Sequence, residues 1–358
     1  MPTVLSDSTT TRTVAARGVT ALGAPLEALT VTRRALRPDD VRIRIEYSGI
    51  CHSDIHVARG DFGLRPVPVV PGHEIIGRVT DTGPGVTAFS VGDRVGVGCF
   101  VNSCGDCASC RAGEEGYCDN GVVMTYAAVD RYGDGEVTHG GYATEIVVRE
   151  SFVLRVPESL DPAAAAPLLC AGITTYSPLK HWGAGPGMRV AVIGMGGVGH
   201  VAVKIAAAMG ADVTVLSHSE SKRQEALSFG ADDLVSTADG SFATTCAERF
   251  DLILNTVSVD LDTAAYMGTL RFDGVLVQIG LPEQPVSVPV RTLTSRRRSL
   301  AGSLVGGIAE TQEMLDFCAR HGIGAEIELI DADHINDAYD RAVRSDVRYR
   351  FVIDASTF

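Results

Sequence analysis

The amino-acid sequence predicts an α/β chain, with a doubly wound parallel sheet joined to a second, β-rich and barrel-like body. Three observations carry this. From about 165 to 305, near-continuous apolar strands alternate with helical stretches (RVAVIG, GGVGHVAVKIAAAMG, DVTVLS, SKRQEALSFG, DLILNTV, GVLVQIG). That is the pattern of a parallel sheet covered on both faces. Residues 12–160 instead hold short alternating strands broken by Gly and Pro, among them VRIRIEYSGI, IIGRVTDTG and YATEIVV. Finally, 358 residues with 45% hydrophobic content and 39 glycines fit two domains rich in tight turns.

Taken in order, the first ten or so residues are polar and Thr/Ser-rich and are expected to be disordered. The strand-rich block follows, then the alternating block. After about 306 come a helix (ETQEMLDFCARHG), a strand (AEIELI), a helix (INDAYDRAV) and a final strand (YRFVID). Within the alternating block, Gly194, Gly196 and Gly199 form G-x-G-x-x-G directly after RVAVI and at the head of a helix. Such glycines allow a tight turn, close approach to a pyrophosphate and close helix–strand packing, with phosphate at the positive helix end. A glycine triplet alone is weak evidence; in a strand–turn–helix context it signals a dinucleotide site.

The end of the next strand bears on which dinucleotide. NAD-binding chains usually place Asp or Glu there for the ribose 2′-hydroxyl. This chain has VTVLSHSESKR, with Ser217 at that point and no carboxylate before Glu220. Hydroxyls donate to the 2′-phosphate of NADP, and Lys222 or Arg223 can neutralise it. Ser217, His218, Ser219 and Lys222 are the expected phosphate-contacting set, with Arg223 beside them. Ser219 also reads as the cap of the following helix.

Two sets of metal-ligand residues lie in the first block. Cys104, Cys107, Cys110 and Cys118 have the spacing C-x2-C-x2-C-x7-C. Four thiolates this close can converge on one tetrahedral Zn²⁺ and leave no open position, as structural zinc requires. A disulfide knot would need a secreted domain, and the start MPTVLSDSTTTR lacks the basic and apolar parts of a signal peptide. The second set is Cys51 in GICHSD, His73 and Glu74 in VVPGHEIIGRV, and Cys170 in AAPLLCAGITTY. Three protein ligands and one exchangeable position suit zinc that does chemistry.

Composition excludes some classes. A net charge of −13 and a pI near 5.1 argue against a nucleic-acid or acidic-membrane surface. The basic cluster Arg296–Arg298 is too short to change that. No apolar run approaches the ~20 residues that span a bilayer. Nine cysteines without a targeting segment point to a reducing cytoplasm.

Several motifs then match one family together: G-H-E-x2-G-x5-G-x2-V at Gly72, His73, Glu74, Gly77, Gly83 and Val86, followed by VGDRVGVG at 91–98. With GICHSDIH, THGGYA at 138–143 and the serine-rich strand end, the chain resembles the zinc-containing medium-chain alcohol dehydrogenases, the cinnamyl alcohol dehydrogenase branch in particular. The resemblance covers residues from about 12 to the C-terminus. It implies a GroES-like catalytic domain of residues 1–166 completed by 307–358, with an NADP-binding Rossmann domain at 167–306. It also implies two zinc ions per chain and a homodimer paired through sheet edges near 293–307. Further cofactor contacts are expected from His52, Ser53, Met195, Gly197, Val198, Thr256, Gly280, Ser303, Leu304 and Val305.

The implied chemistry is hydride transfer between NADP(H) and a primary alcohol or aldehyde (aromatic, allylic or medium-chain) polarised by zinc. Ser53 resembles the family's hydroxyl relay, with His56 outward of it. Asp54 is expected to fix the tautomer of His73, and Glu74 to bind metal in exchange or act electrostatically. Where lignin-type members place an aromatic residue five positions after the last structural cysteine, this chain has Val123, which implies a roomier pocket. Leu64, Met124 and Ile308 are further lining candidates. Two other readings are an NADPH-dependent reductase of activated C=C bonds and, from another class, a non-enzymatic zinc-thiolate sensor.

Overall fold

The computed structural model describes residues 10–63 and 65–358; the expectation of disorder for the first residues falls, up to position 9, outside the described residues, as does Leu64. The chain forms two compact units, residues 1–170 with 306–358, and residues 171–305. The first division thus falls after Cys170 rather than after 166, and the second just before Gly306.

The first unit is built on the long strand Asp40–Gly49. It pairs antiparallel with Ile75–Thr82, Glu145–Arg149 and Arg350–Asp354. The sheet continues outward to Arg94–Val97 and Leu154–Arg155 on one side and to Ile327–Ile330 on the other. Most of these pairs are antiparallel, while Ile327–Ile330 runs parallel to Arg350–Asp354. The C-terminal strand is therefore an interior member of a sheet whose other strands come mainly from the first 155 residues. Burial drives this. Strand RFVID carries Phe351, Val352 and Ile353 with almost no exposed surface, so leaving it unpaired would strand apolar area and backbone donors together.

One core of this unit joins Ile43, Ile75, Val95, Ile146 and Val148. Another joins Val14, Val69, Ile55, Tyr142, Tyr339 and Phe351. Helix Ile308–His321 lays Thr311, Met314, Leu315 and Cys318 inward, the i, i+3, i+4, i+7 stripe of an amphipathic helix, and stops at Gly322 with φ 64°.

The second unit is a six-stranded parallel sheet. Its strand order is Asp233–Ser236, Asp212–Ser217, Arg189–Ile193, Phe250–Asn255, Leu270–Gln278, Ser299–Gly302. Numbered along the chain this is 3-2-1-4-5-6, the doubly wound dinucleotide-binding order. The order reverses at Arg189–Ile193, whose residues Val190 to Ile193 are all buried. Ligands of such sheets bind beyond the carboxyl ends of the strands at that switch point, and Gly194 is the next residue.

Candidate metal centres and nucleotide site

The metal-ligand residues of the second set converge. Ligand atoms of Cys51, His73, Glu74 and Cys170 all lie within 4.8 Å of one another, with the two sulfurs 4.0 Å apart. Tetrahedral zinc with bonds of about 2.3 Å sets sulfurs roughly 3.8 Å apart, so the spacing fits. Helix His52–Arg59 explains the placement of Cys51. Cys51 is its N-cap, and Asp54 at the third helical position accepts the Cys51 amide at 2.9 Å, one arm of a capping box. Asp54 also accepts from His73 Nδ1 at 3.0 Å, which leaves Nε2 as the ring's donor atom for a metal. Burial opposes protonation of His73, but Asp54 outweighs it and raises its pKa well above the ordinary value. The hydrogen bond with Cys170 draws the Cys51 thiol well below the usual thiol range, against burial.

Glu74 is fully buried. Its Oε1 pairs with Arg350 of the C-terminal strand, while Oε2 has no hydrogen-bond partner. Burial lifts the carboxyl to about 7, with Arg350 opposing. An orphaned buried oxygen beside two thiols and an imidazole is the donor set a zinc ion satisfies. Arg350 was not among the expected site residues. Its one signal is a charged side chain directly before the apolar run FVI of the strand RFVID. Cys99, whose buried thiol donates to the Leu169 carbonyl at 3.9 Å, one residue before Cys170, carried no signal.

The four cysteines of the other set also gather within 4.8 Å. Cys104 lies 3.9 Å from Cys110 and 3.5 Å from Cys118. The Cys107 sulfur accepts the amides of Cys110 and Asp119, each at 3.4 Å, as a thiolate would. An all-sulfur tetrahedron of this kind suits zinc.

In the second unit Gly194 has φ 84°, and a Cβ there would meet Val257 at 2.3 Å. At Gly199 a Cβ would lie 2.1 Å from the Gly194 carbonyl oxygen, so only glycine lets helix Gly199–Ala208 start this close to the strand. Gly196 faces open space, the room a pyrophosphate needs. Met195 and Gly197–Val198 complete the turn; Thr256 Oγ1 donates to the Ile193 carbonyl at 2.8 Å. Gly280 packs too tightly against Val257 for any Cβ. Lys222 Nζ donates to the Met195 carbonyl at 2.8 Å, which sets the lysine beside the glycine turn. Ser217 is buried and accepts the Ser219 amide at 3.3 Å; His218 and Ser219 are exposed, and Ser219 caps the turn Glu220–Lys222.

Two expectations change. Arg223 is not offered to a phosphate: its guanidinium bonds Glu220 at 2.9 Å and Asp233 at 3.0 Å. Val123 is fully buried in a short strand paired with Phe100–Asn102, so it presents no surface to a substrate, whereas Met124 is 44% exposed. Among the outer residues, His56 Nδ1 bonds Asp61 at 2.8 Å on the surface, and Ser53 lies 3.8 Å from the Cys51 sulfur. His52 is exposed. Ser303 and Leu304 follow the edge strand, Leu304 exposed and Val305 buried.

A metal cluster of Cys, His and Glu in one unit and a dinucleotide turn in the other define a metal-assisted oxidoreductase. Comparison with known proteins agrees. Residues 37–158 match the alcohol dehydrogenase GroES-like domain, and residues 197–320 the zinc-binding dehydrogenase family. The chain is 58% identical to an NADP-dependent alcohol dehydrogenase C of Mycolicibacterium smegmatis, over 96% of this chain and 99% of that one. It is 49% identical to an aldehyde reductase of Escherichia coli, over 93% and 95%. A cinnamyl alcohol dehydrogenase structure from Sorghum bicolor superimposes with a TM-score of 0.93 at 42% identity, covering 96% of this chain and 98% of that one. The chain belongs to the zinc-dependent medium-chain alcohol dehydrogenases, in the cinnamyl alcohol dehydrogenase-like branch.

Proposed function

We propose that this chain interconverts primary alcohols and aldehydes with NADP(H), in the manner of an aldehyde reductase. The observation that carries it is the convergence of Cys51, His73, Glu74 and Cys170 in a chain whose second unit forms a dinucleotide turn. Two zinc ions per chain are assigned, one to this set and one to the four cysteines. Zinc at the first site would supply Lewis acidity at the carbonyl oxygen, and NADPH the hydride.

The residues divide the remaining work. Cys51, His73 and Cys170 would hold the ion as three donors, leaving the substrate oxygen as the fourth, and Glu74, whose Oε2 has no hydrogen-bond partner, would serve as the donor that exchanges with it. Asp54 orients His73. Ser53, beside Cys51, moves the proton of the substrate hydroxyl, and His56 is its outer station. Ser53→Ala is expected to slow both directions by ~10²–10⁴-fold with zinc retained, and Ser53→Thr to keep most activity. Near-normal turnover in the alanine variant would place the proton path elsewhere.

For the cofactor, Ser217, His218, Ser219 and Lys222 form the 2′-phosphate site, and Arg223 is left out of it. Ser217→Asp is expected to cut catalytic efficiency with NADPH by about tenfold or more through like-charge repulsion, while gaining a ribose acceptor for NADH. A wild-type enzyme that used NADH equally well would defeat this assignment.

The open sheet edge at Ser299–Gly302, with Leu300 38% exposed, supports a homodimer formed by pairing that edge across a two-fold axis. A monomer by sedimentation at micromolar concentration would rule this out. We place the enzyme in the cytoplasm, where its nine thiols stay reduced, a location that cell fractionation checks. No described helix is long and apolar enough to cross a membrane, and the net charge of −13 opposes binding to nucleic acid.

A further inference from the structure

Behind the metal-ligand cluster, the Asp54 carboxylate gathers donors from separate parts of the chain. Oδ1 accepts the Gly72 amide and His73 Nδ1, both at 3.0 Å. Oδ2 accepts the Cys51 amide at 2.9 Å and the Tyr142 hydroxyl at 3.4 Å. Tyr142 in turn accepts from the Tyr339 hydroxyl at 3.4 Å, and the two rings meet edge-on, 6.4 Å apart at 61°. Tyr142 is 0% and Tyr339 5% exposed. Tyr339 stands on helix Ile335–Val343, 197 residues from Tyr142.

Two buried phenols in series are chemically informative. Phenylalanine would fill almost the same space without the cost of burying a hydroxyl. Each hydroxyl here finds a partner, and the chain of donors ends on the one carboxylate that holds both the Cys51 backbone and the His73 ring. That carboxylate therefore couples two ligand-bearing segments, the Cys51 helix start and the 72–74 loop.

We propose that Tyr142 and Tyr339 are positioning residues of the metal site, through which the C-terminal helix sets how tightly the ion is held. The inference rests on the reading that Cys51, His73, Glu74 and Cys170 hold zinc. Tyr142 keeps Asp54 Oδ2 directed so that Oδ1 stays on His73, and Tyr339 keeps the Tyr142 hydroxyl aimed at Asp54. Neither touches substrate or cofactor.

The test is zinc release from the intact loaded protein to the chelator 4-(2-pyridylazo)resorcinol. Cys51→Ser identifies which release phase belongs to this site, and the four-cysteine ion is the internal control. Tyr142→Phe is expected to speed release of the first ion up to about 10-fold, since losing a direct partner of a metal ligand costs about 10–100-fold in affinity and Tyr142 acts one hydrogen bond further out. The control phase and the unfolding temperature should stay near wild type. Tyr339→Phe should act on the same phase more weakly, and the double variant should match Tyr142→Phe, since Tyr339 acts only through Tyr142. The visible absorption of cobalt(II)-substituted protein should shift in the same variants. Unchanged release and cobalt spectrum in Tyr142→Phe would overturn the proposal. So would equal acceleration of both ions, which marks the tyrosines as packing residues only. Wild-type protein holding only the four-cysteine ion would instead refute the metal reading itself.

Discussion

Cys51→Ser is expected to yield a folded protein that keeps one zinc ion and loses turnover by at least about a thousandfold. Lewis-acid stabilisation of a developing alkoxide contributes several kcal/mol, and each 1.36 kcal/mol is tenfold in rate. The fold should survive because Cys51 opens helix His52–Arg59 as its N-cap, a position at which serine is favoured. The amide that binds Asp54 belongs to the backbone and is untouched. Metal analysis, circular dichroism and NADPH oxidation on one sample would separate the effects. Full activity with one zinc per chain would reverse the assignment.

Cys107→Ser is expected to do the opposite, removing the other ion and damaging the fold first. Cys107 caps the short helix Ala108–Arg111 through its sulfur, and serine can cap as well, so any large loss comes from the metal. Across residues 104–121 only Cys110 and Cys118 are buried. No apolar core supports this lobe, and the ion must. Structural zinc contributes about 10–16 kcal/mol in isolated zinc-finger peptides at neutral pH. Even about 4 kcal/mol here would lower the unfolding temperature by roughly 5 °C. Calorimetry showing an unchanged transition after loss of this ion would remove its structural role.

What could be read from the sequence was mostly local. The cysteine loop, the glycine turn and the Cys51 helix start are each set within twenty residues, where spacing alone brings the atoms together. Cys170 was reachable as a ligand because it lies just ahead of the alternating block. The support around the site was not legible. Arg350 meets Glu74 across 276 residues, and Tyr142 meets Asp54 across 88. The first depends on the return of the C-terminal strand to Asp40–Gly49 and the second on the docking of the 138–143 loop against Pro71 and Gly72, neither of which periodicity can encode. Arg223 was misjudged for a related reason: its partner Asp233 sits on the neighbouring parallel strand, ten positions on. Val123 failed because a two-residue strand gives no alternation from which to read its face.

The most direct test uses NADPH deuterated at the transferring position of nicotinamide C4, with cinnamaldehyde as substrate. Reduction at the carbonyl gives cinnamyl alcohol with deuterium on the carbinol carbon, at a rate that collapses in Cys51→Ser. That is the outcome expected here, because zinc held by Cys51, His73 and Cys170 would stabilise the alkoxide that hydride addition at the carbonyl carbon leaves. Saturated aldehyde with deuterium on the carbon remote from the carbonyl, formed equally well by Cys51→Ser, would show a C=C reductase that does not need this metal, and the proposed function would fall.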